Sequence, residues 1–198
     1  VATMAKVTGR TDEAAQYGKL ARDIKKAFQK EYVDSEGRVR GDTQAGYAVA
    51  LAFNMVDEAQ RLALTKHLVE AIRRFNGHPS TGIQTTHRMM LELSRNRQHE
   101  EAYRLATLET VPSWGGMVKM GATTIWERWD GYVKGRGPHR SGMNSFNHWA
   151  LGSVGEWMWR NLVGINPDDS QPGYKHIVIR PRPAGDLTWA KGRYDSIR

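Results

Sequence analysis

Apolar side chains recur at intervals of three and four residues over most of the first 160 residues, which is the pattern of amphipathic helices. The stripes predict helices over residues 11–30, from about 43, from about 57, around 89–93, from about 99 and over 143–161. Thr11 before Asp12 and Glu13 is typical of a helix start. The last stripe is the most regular, and it places Phe146, Ala150 and Trp157 on one face.

These helices cannot bury their apolar stripes alone, and the connections between them are mostly short and polar. Consecutive helices of this kind are expected to pack as antiparallel pairs. A toroid of helical hairpins and a simple bundle both satisfy that requirement. We therefore expect residues up to about 164 to be almost wholly helical, with no parallel sheet among them.

The pattern changes after Gly164. Residues 166–174 are rich in Asn, Asp, Pro and Gly and are predicted to be a linker. Residues 176–180 then predict a strand, and residues 187–194 a possible second one. Two strands do not form a stable domain by themselves. We expect residues 175–198 to be the beginning of a β domain.

Composition narrows the class of protein. The 198 residues are 39% hydrophobic and 25% charged, with seven Trp and seven Tyr, which suits a folded globular chain rather than a disordered one. The formal net charge is +8, but the basic residues are scattered along polar helix faces, so nucleic acid is not an expected partner. No apolar run approaches the roughly 20 residues of a membrane helix. The absence of Cys excludes disulfides and thiolate metal sites.

Residues 112–130 have the composition of a binding site rather than a scaffold, with three Trp, three Gly and two acidic residues. Trp rings offer flat apolar faces to the C–H groups of sugars, and carboxylates accept hydrogen bonds from hydroxyls. Trp126, Glu127, Trp129 and Asp130 thus suit a sugar site. Spacing alone favours a structural interpretation, in which Thr124 and Glu127 form a capping box and the Trp rings belong to the hydrophobic core.

His148 and Asp42 also have two interpretations. Gly152 and Gly155 follow His148 on the same predicted helix face, which leaves room for a ligand or for a neighbouring helix. Spacing alone favours a structural role for His148. Asp42 precedes the second predicted helix, and a helix N-cap is its simplest role.

Several motifs, in this order along the chain, resemble glycoside hydrolase family 78, the bacterial-type α-L-rhamnosidases. They are Gly41-Asp42-Thr43-Gln44, Thr81-Gly82-Ile83, Pro112-Ser113-Trp114, Gly121-Ala122-Thr123-Thr124-Ile125-Trp126-Glu127-Arg128-Trp129, Asn144-Ser145-Phe146-Asn147-His148-Trp149, Gly155-Glu156-Trp157 and Pro172-Gly173-Tyr174. The resemblance covers almost the whole chain. It implies a mainly α fold, the later hairpins of an (α/α)6 toroid over residues 1–165, then the linker at 166–174 and the start of a C-terminal β-sandwich at 175–198.

The same resemblance implies hydrolysis of terminal α-L-rhamnosyl groups with inversion. It makes Glu127 the general base and His148 a contact of the bound rhamnose, with Trp126, Trp129 and Trp114 as nearby wall residues. It implies a rhamnose-containing oligosaccharide, glycoside or polysaccharide as substrate, and neither cofactor nor metal. The family's general acid lies upstream of the region matched here, so we expect this chain alone to be inactive.

Two alternatives remain at this point. One is another inverting glycosidase or a phosphorylase on a similar α/α toroid. The other is a non-catalytic fragment that binds carbohydrate or serves as scaffold.

Overall fold

A computed structural model describes residues 1–140 and 142–196. Its helices are Ala2–Val7 (α1), Thr11–Tyr32 (α2), Gln44–Ala52 (α3), Glu58–Arg74 (α4), Thr86–Arg95 (α5), His99–Thr107 (α6), Trp114–Lys119 (α7), Trp149–Gly152 (α8) and Val154–Trp157 (α9), followed by a π-helix at Met158–Val163. The strands are Tyr132–Val133 (β1), Gly137–Pro138 (β2), Ile165–Pro167 (β3) and Ile177–Ile179 (β4). The first five predicted helices correspond to α2 through α6.

Two helix starts show how local sequence fixes these elements. Asp57 caps α4 in a reciprocal capping box with Gln60. The Thr43 side chain caps α3 by accepting a hydrogen bond from the Gly46 amide at 3.1 Å. The simplest interpretation of Asp42, an N-cap, is therefore wrong. Its carboxylate instead accepts a hydrogen bond from the Tyr47 hydroxyl at 2.6 Å.

The core lies between α3, α4 and α5, with contributions from α6 and α9. Its fully buried side chains include Leu51, Leu64, Leu68, Met89 and Leu93. By contrast, α2 has no buried residue, packs mainly against α1 and leaves its apolar stripe half exposed. The α2 stripe is thus a face that the rest of this chain does not cover.

The prediction of a sixth helix over residues 143–161 is wrong for its first six residues. Residues 143–148 are not helical, and Phe146 packs edge-on against the Trp126 ring at 5.4 Å instead of extending the helical stripe. Helix α8 begins only at Trp149, because the His148 side chain caps it. The helix is then interrupted at Ser153 and continues as the π-helix from Met158.

Both small sheets are antiparallel, and the described residues contain no parallel pairing. β1 pairs with β2 inside the long segment at 120–148, so the first 164 residues are less uniformly helical than predicted. β4 confirms the strand predicted at 176–180, and its partner is β3, which begins directly after the barrel helices. Residues 187–194 form no strand, so that prediction is wrong. The predicted linker at 166–174 thus begins within β3. The predicted limits of the two domains, at 1–165 and 175–198, stay a prediction.

Among residues 1–140 and 142–196, no helix combines the length and apolarity that a membrane span would need.

Candidate active site

A cleft of about 440 Å³ opens between two connections of the helical layer. Residues 80–83, which precede α5, form one wall. Residues 127–130, together with Met143, form the other. The chemistry-rich segment singled out in the sequence therefore lines a concave surface. The opposite wall belongs to a motif, Thr81-Gly82-Ile83, to which the sequence analysis gave no role of its own.

Glu127 is held by the chain around Ser145. The Glu127 amide donates to the Ser145 carbonyl at 2.8 Å, and its Oε2 accepts from the Ser145 amide at 2.9 Å. No helix starts at Thr124, whose hydroxyl donates instead to the Phe146 carbonyl. The capping-box interpretation of Glu127 is thus wrong, because there is no helix there to cap. Its carboxylate is partly exposed and belongs to the cleft.

His148 takes part in the same set of hydrogen bonds, which joins residues 125–127 to residues 145–148. Its amide donates to the Ile125 carbonyl at 2.9 Å, two residues before Glu127. Its Nδ1 accepts from the Ala150 amide at 3.2 Å, so a neutral ring carries its proton on Nε2. That N–H is then a donor suited to a sugar hydroxyl. His148 lies outside the residues that line the cleft, and its contact with a sugar stays a prediction.

The three predicted Trp residues occupy different environments. Trp129 lines the cleft and joins its two walls, since its Nε1 donates to the Thr81 carbonyl at 2.7 Å. Trp114 is buried, packs edge-on against Trp129 with ring centroids 4.9 Å apart, and donates to the Leu151 carbonyl at 2.9 Å. Trp126 is also buried. Trp114 packs behind Trp129, and Trp126 belongs to a buried cluster with Met117 and Leu151, so Trp129 is the one of the three that lines the cleft.

Asp130 carries the second carboxylate of the cleft, as its acidic side chain in the sugar-site segment suggested, although the family resemblance gave it no role. It pairs with Arg128 at 3.0 Å, with Arg136 at 3.3 Å and with His139 at 3.6 Å. Partial burial favours the protonated form, but the hydrogen bond and charge of Arg128, with His139 and Arg136, outweigh it and lower the pKa of Asp130. Asp130 therefore remains ionised near neutral pH.

Within the described ranges 1–140 and 142–196, no three His, Asp or Glu side chains come together as a metal site would require.

Comparison with known proteins assigns the chain to a family. Residues 1–162 match the bacterial alpha-L-rhamnosidase 6 hairpin glycosidase domain, and residues 164–198 match the bacterial alpha-L-rhamnosidase C-terminal domain. The chain belongs to the bacterial α-L-rhamnosidase family. The resemblance seen in the sequence is thereby confirmed, and with it the fold class of six-hairpin toroid followed by the start of a β domain.

Two curated family members illustrate the similarity. An alpha-L-rhamnosidase of Streptomyces avermitilis is 45% identical over 185 residues, which is 93% of this chain and 18% of that protein. One of Formosa agariphila is 38% identical over 191 residues, which is 96% of this chain and 20% of that protein. The chain thus spans about a fifth of the length of these relatives.

Solved structures agree with the sequence matches. The crystal structure of the Streptomyces avermitilis α-L-rhamnosidase complexed with L-rhamnose superposes with a TM-score of 0.87, over 93% of this chain and 18% of that one. The native α-L-rhamnosidase from Aspergillus terreus gives a TM-score of 0.86 at 33% identity, over 93% of this chain and 21% of that one. A rhamnosidase-type glycoside hydrolase is the activity class of these relatives.

Proposed function

We propose that the protein carrying this chain hydrolyses terminal α-L-rhamnosyl groups with inversion, and that Glu127 is its general base. The observation that supports this role best is the asymmetric environment of the Glu127 carboxylate. Oε2 is fixed by the Ser145 amide, whereas Oε1 has no hydrogen-bond partner among the described residues. A general base needs one oxygen fixed for orientation and the other available to water.

The reaction requires two carboxyl groups with opposite tasks. An acid protonates the glycosidic oxygen as the bond to the anomeric carbon breaks, while the base takes a proton from the water that attacks from the opposite face. In inverting enzymes the two groups lie roughly 6.5–9.5 Å apart, which leaves room for that water. Glu127 suits the basic task, because it is partly exposed at the cleft.

Asp130 is a poor candidate for the acid. Its arginine partners lower its pKa, whereas a general acid must hold a proton at the working pH. We therefore propose that the acid is supplied by a part of the toroid outside these 198 residues, in keeping with the fifth of the relatives' length that the chain spans. The isolated chain should then be inactive, even when circular dichroism and sizing show that it is folded.

The decisive experiment replaces Glu127 by Gln in the protein that carries this chain and measures kcat/KM on an aryl α-L-rhamnoside. Gln keeps the shape of the side chain but cannot accept a proton, so activity should fall by roughly 10²–10⁴-fold. Glu109→Gln is the matched control, because Glu109 is exposed and its ion pair among the described residues is with Lys119 on the surface. Near-normal turnover by Glu127→Gln would remove Glu127 from the reaction.

Two further readouts test the finer parts of the proposal. Proton NMR of the first-formed sugar should show β-L-rhamnose, and initial release of the α anomer would contradict inversion. Aryl glucosides should be turned over far more slowly than aryl rhamnosides. Equal rates on both would instead favour another glycosidase of the same toroidal fold.

A further inference from the structure

A second pocket, of about 340 Å³, lies where the last barrel helix meets strands β3 and β4. Its walls are mainly polar, and four of its side chains are arginines. The residues that give the pocket its character are Arg95, Arg160, Asn161, Asn166, Arg180 and Arg182. One acidic residue, Asp169, also lines it. Such a concentration of guanidinium groups in one concave site is unusual for a scaffold surface.

The backbone around this pocket is built to hold the arginines in place. Arg180 and Arg182 flank Pro181 just after β4, and both line the pocket. Two hydrogen bonds pin that segment to the end of the π-helix, from the Arg180 amide to the Gly164 carbonyl at 2.8 Å and from the Arg182 amide to the Asn161 carbonyl at 2.7 Å.

Gly164 is required for this close approach. Its φ of 81° is left-handed, and a Cβ there would lie 2.2 Å from the Pro181 nitrogen. The π-helix that precedes it carries Arg160 and Asn161 into the same pocket. π-Helical turns are rare and are found frequently at functional sites.

The charges of the pocket are only partly compensated. Arg95 pairs with Glu92 at 2.6 Å through one Nη atom, and Arg160 pairs with Glu156 at 3.0 Å through Nε. Each guanidinium has five N–H donors, so most donors of both remain for a ligand.

The other two arginines have no carboxylate partner within the described part of the chain. The guanidinium of Arg182 donates to the Ser94 carbonyl at 2.7 Å, and Arg180 has no ion pair among the described residues. Burial, followed by the repulsion from Arg180, lowers the pKa of the Arg182 guanidinium. A bound anion would relieve this repulsion.

We propose that this arginine pocket is a binding site for an oxyanion, namely a sulfate, a phosphate or the carboxylate of an acidic sugar. Planar guanidinium forks bind such groups by paired, charge-assisted hydrogen bonds. The site is separate from the cleft that holds Glu127. Helix α5 lies between them, with residues 80–83 before its first turn and Arg95 in its last, and ten residues of helix span about 15 Å.

The test is isothermal titration calorimetry of the protein that carries this chain, with sodium sulfate as the probe and ionic strength held constant with chloride. Saturable binding is expected. Arg180→Gln should weaken it by about tenfold, since it removes one set of charge-assisted hydrogen bonds. The Arg180 side chain is exposed and has no ion pair in the part of the chain that the structure describes, so this variant should fold normally. Arg22→Gln, which removes an exposed arginine of α2, is the matched control and should bind sulfate like the wild type.

Further titrations distinguish the sources of the anion. Competition with sulfate by phosphate, but not by glucuronate, would indicate a tetrahedral group, whereas competition by glucuronate would indicate an acidic sugar. Absence of saturable sulfate binding would overturn the proposal. Binding that is unchanged in both Arg180→Gln and Arg160→Gln would also overturn it, because the ions would then bind elsewhere. None of these readouts requires hydrolysis, so they stand apart from the proposed activity.

Discussion

The helical segment at 44–107 and the cleft segment at 120–148 obtain their backbone hydrogen bonds in different ways. Helices α3 to α6 satisfy most of theirs within a few residues and bury large apolar side chains such as Leu64, Leu68 and Met89. The cleft segment is mostly irregular and is held by pairs from distant positions, for example Glu127 with Ser145 and Ile125 with His148. The first segment is a scaffold fixed locally, and the second is a site fixed by long-range contacts.

This difference suggests a division of roles between acidic residues of similar type. Glu92, in the helical segment, is buried and pairs with Arg61 at 2.7 Å and with Arg95 at 2.6 Å. Glu127, in the cleft segment, is partly exposed, and among the described residues its carboxylate has one hydrogen bond, from the Ser145 amide. Substitution of Glu92 should therefore affect stability, and substitution of Glu127 should affect turnover.

The largest expected effect on stability comes from Glu92→Gln. Breaking a buried ion pair from one side leaves Arg61 desolvated without its partner and costs about 3–5 kcal/mol in the free energy of unfolding. Thermal unfolding of the helical domain, followed by far-UV circular dichroism, measures it. Glu58→Gln is a close control, because Glu58 faces the same arginine at 3.8 Å but is 94% exposed, and it should cost less than about 1 kcal/mol. Equal losses of unfolding free energy in the two variants would show that burial does not distinguish these two ion pairs.

A smaller effect is expected where the two cleft walls are joined. Trp129→Phe removes the hydrogen bond to the carbonyl of Thr81, a buried residue, and should loosen the spacing of the cleft. In the protein that carries this chain, we expect kcat/KM on an aryl rhamnoside to fall by roughly tenfold or more, as misplacement of reacting groups is costly. Trp189→Phe, at a ring that is 76% exposed, should leave kcat/KM unchanged. Unaltered kcat/KM in Trp129→Phe would show that the cleft does not depend on this bond.

The smallest effect concerns pH and the Asp130 ion pairs. The folded-state pKa of Asp130 is lowered below its ordinary value, so its contribution to stability is present above about pH 4 and is lost as the pH falls through the folded-state pKa. Because the side chain is partly exposed, the contribution should be under about 1 kcal/mol.

Comparison of Asp130→Asn with the wild type measures this contribution. The difference in Tm should be present at pH 7 and should shrink progressively as the pH falls below about 4. Asp195→Asn, in a strongly exposed pair with Arg193, should show little difference at either pH. A difference in Tm between Asp130→Asn and wild type that increases on acidification would contradict the lowered pKa of Asp130.

Sequence pattern was a good guide where structure is local. The stripes predicted α2 to α6, because a helix makes its hydrogen bonds between residues four apart and buries one face. The same rule failed at 143–148, where residues with helical spacing are not helical and hydrogen-bond with 125–127. The periodicity depends only on which side chains are apolar. It contains no information about hydrogen bonds that the backbone forms with a segment distant in the sequence.

By itself, the sequence determined the helical class, the helix starts at Asp57 and near Thr43, and the set of residues with sugar chemistry around Glu127. Tertiary structure alone decided that Glu127 is fixed by Ser145, that Thr81 faces it across the cleft, and that four arginines from α5, the π-helix and the segment after β4 line one pocket. The reason is physical. Helices follow from interactions within one turn, whereas sites are assembled from residues far apart in the chain, whose proximity depends on packing of the whole fold.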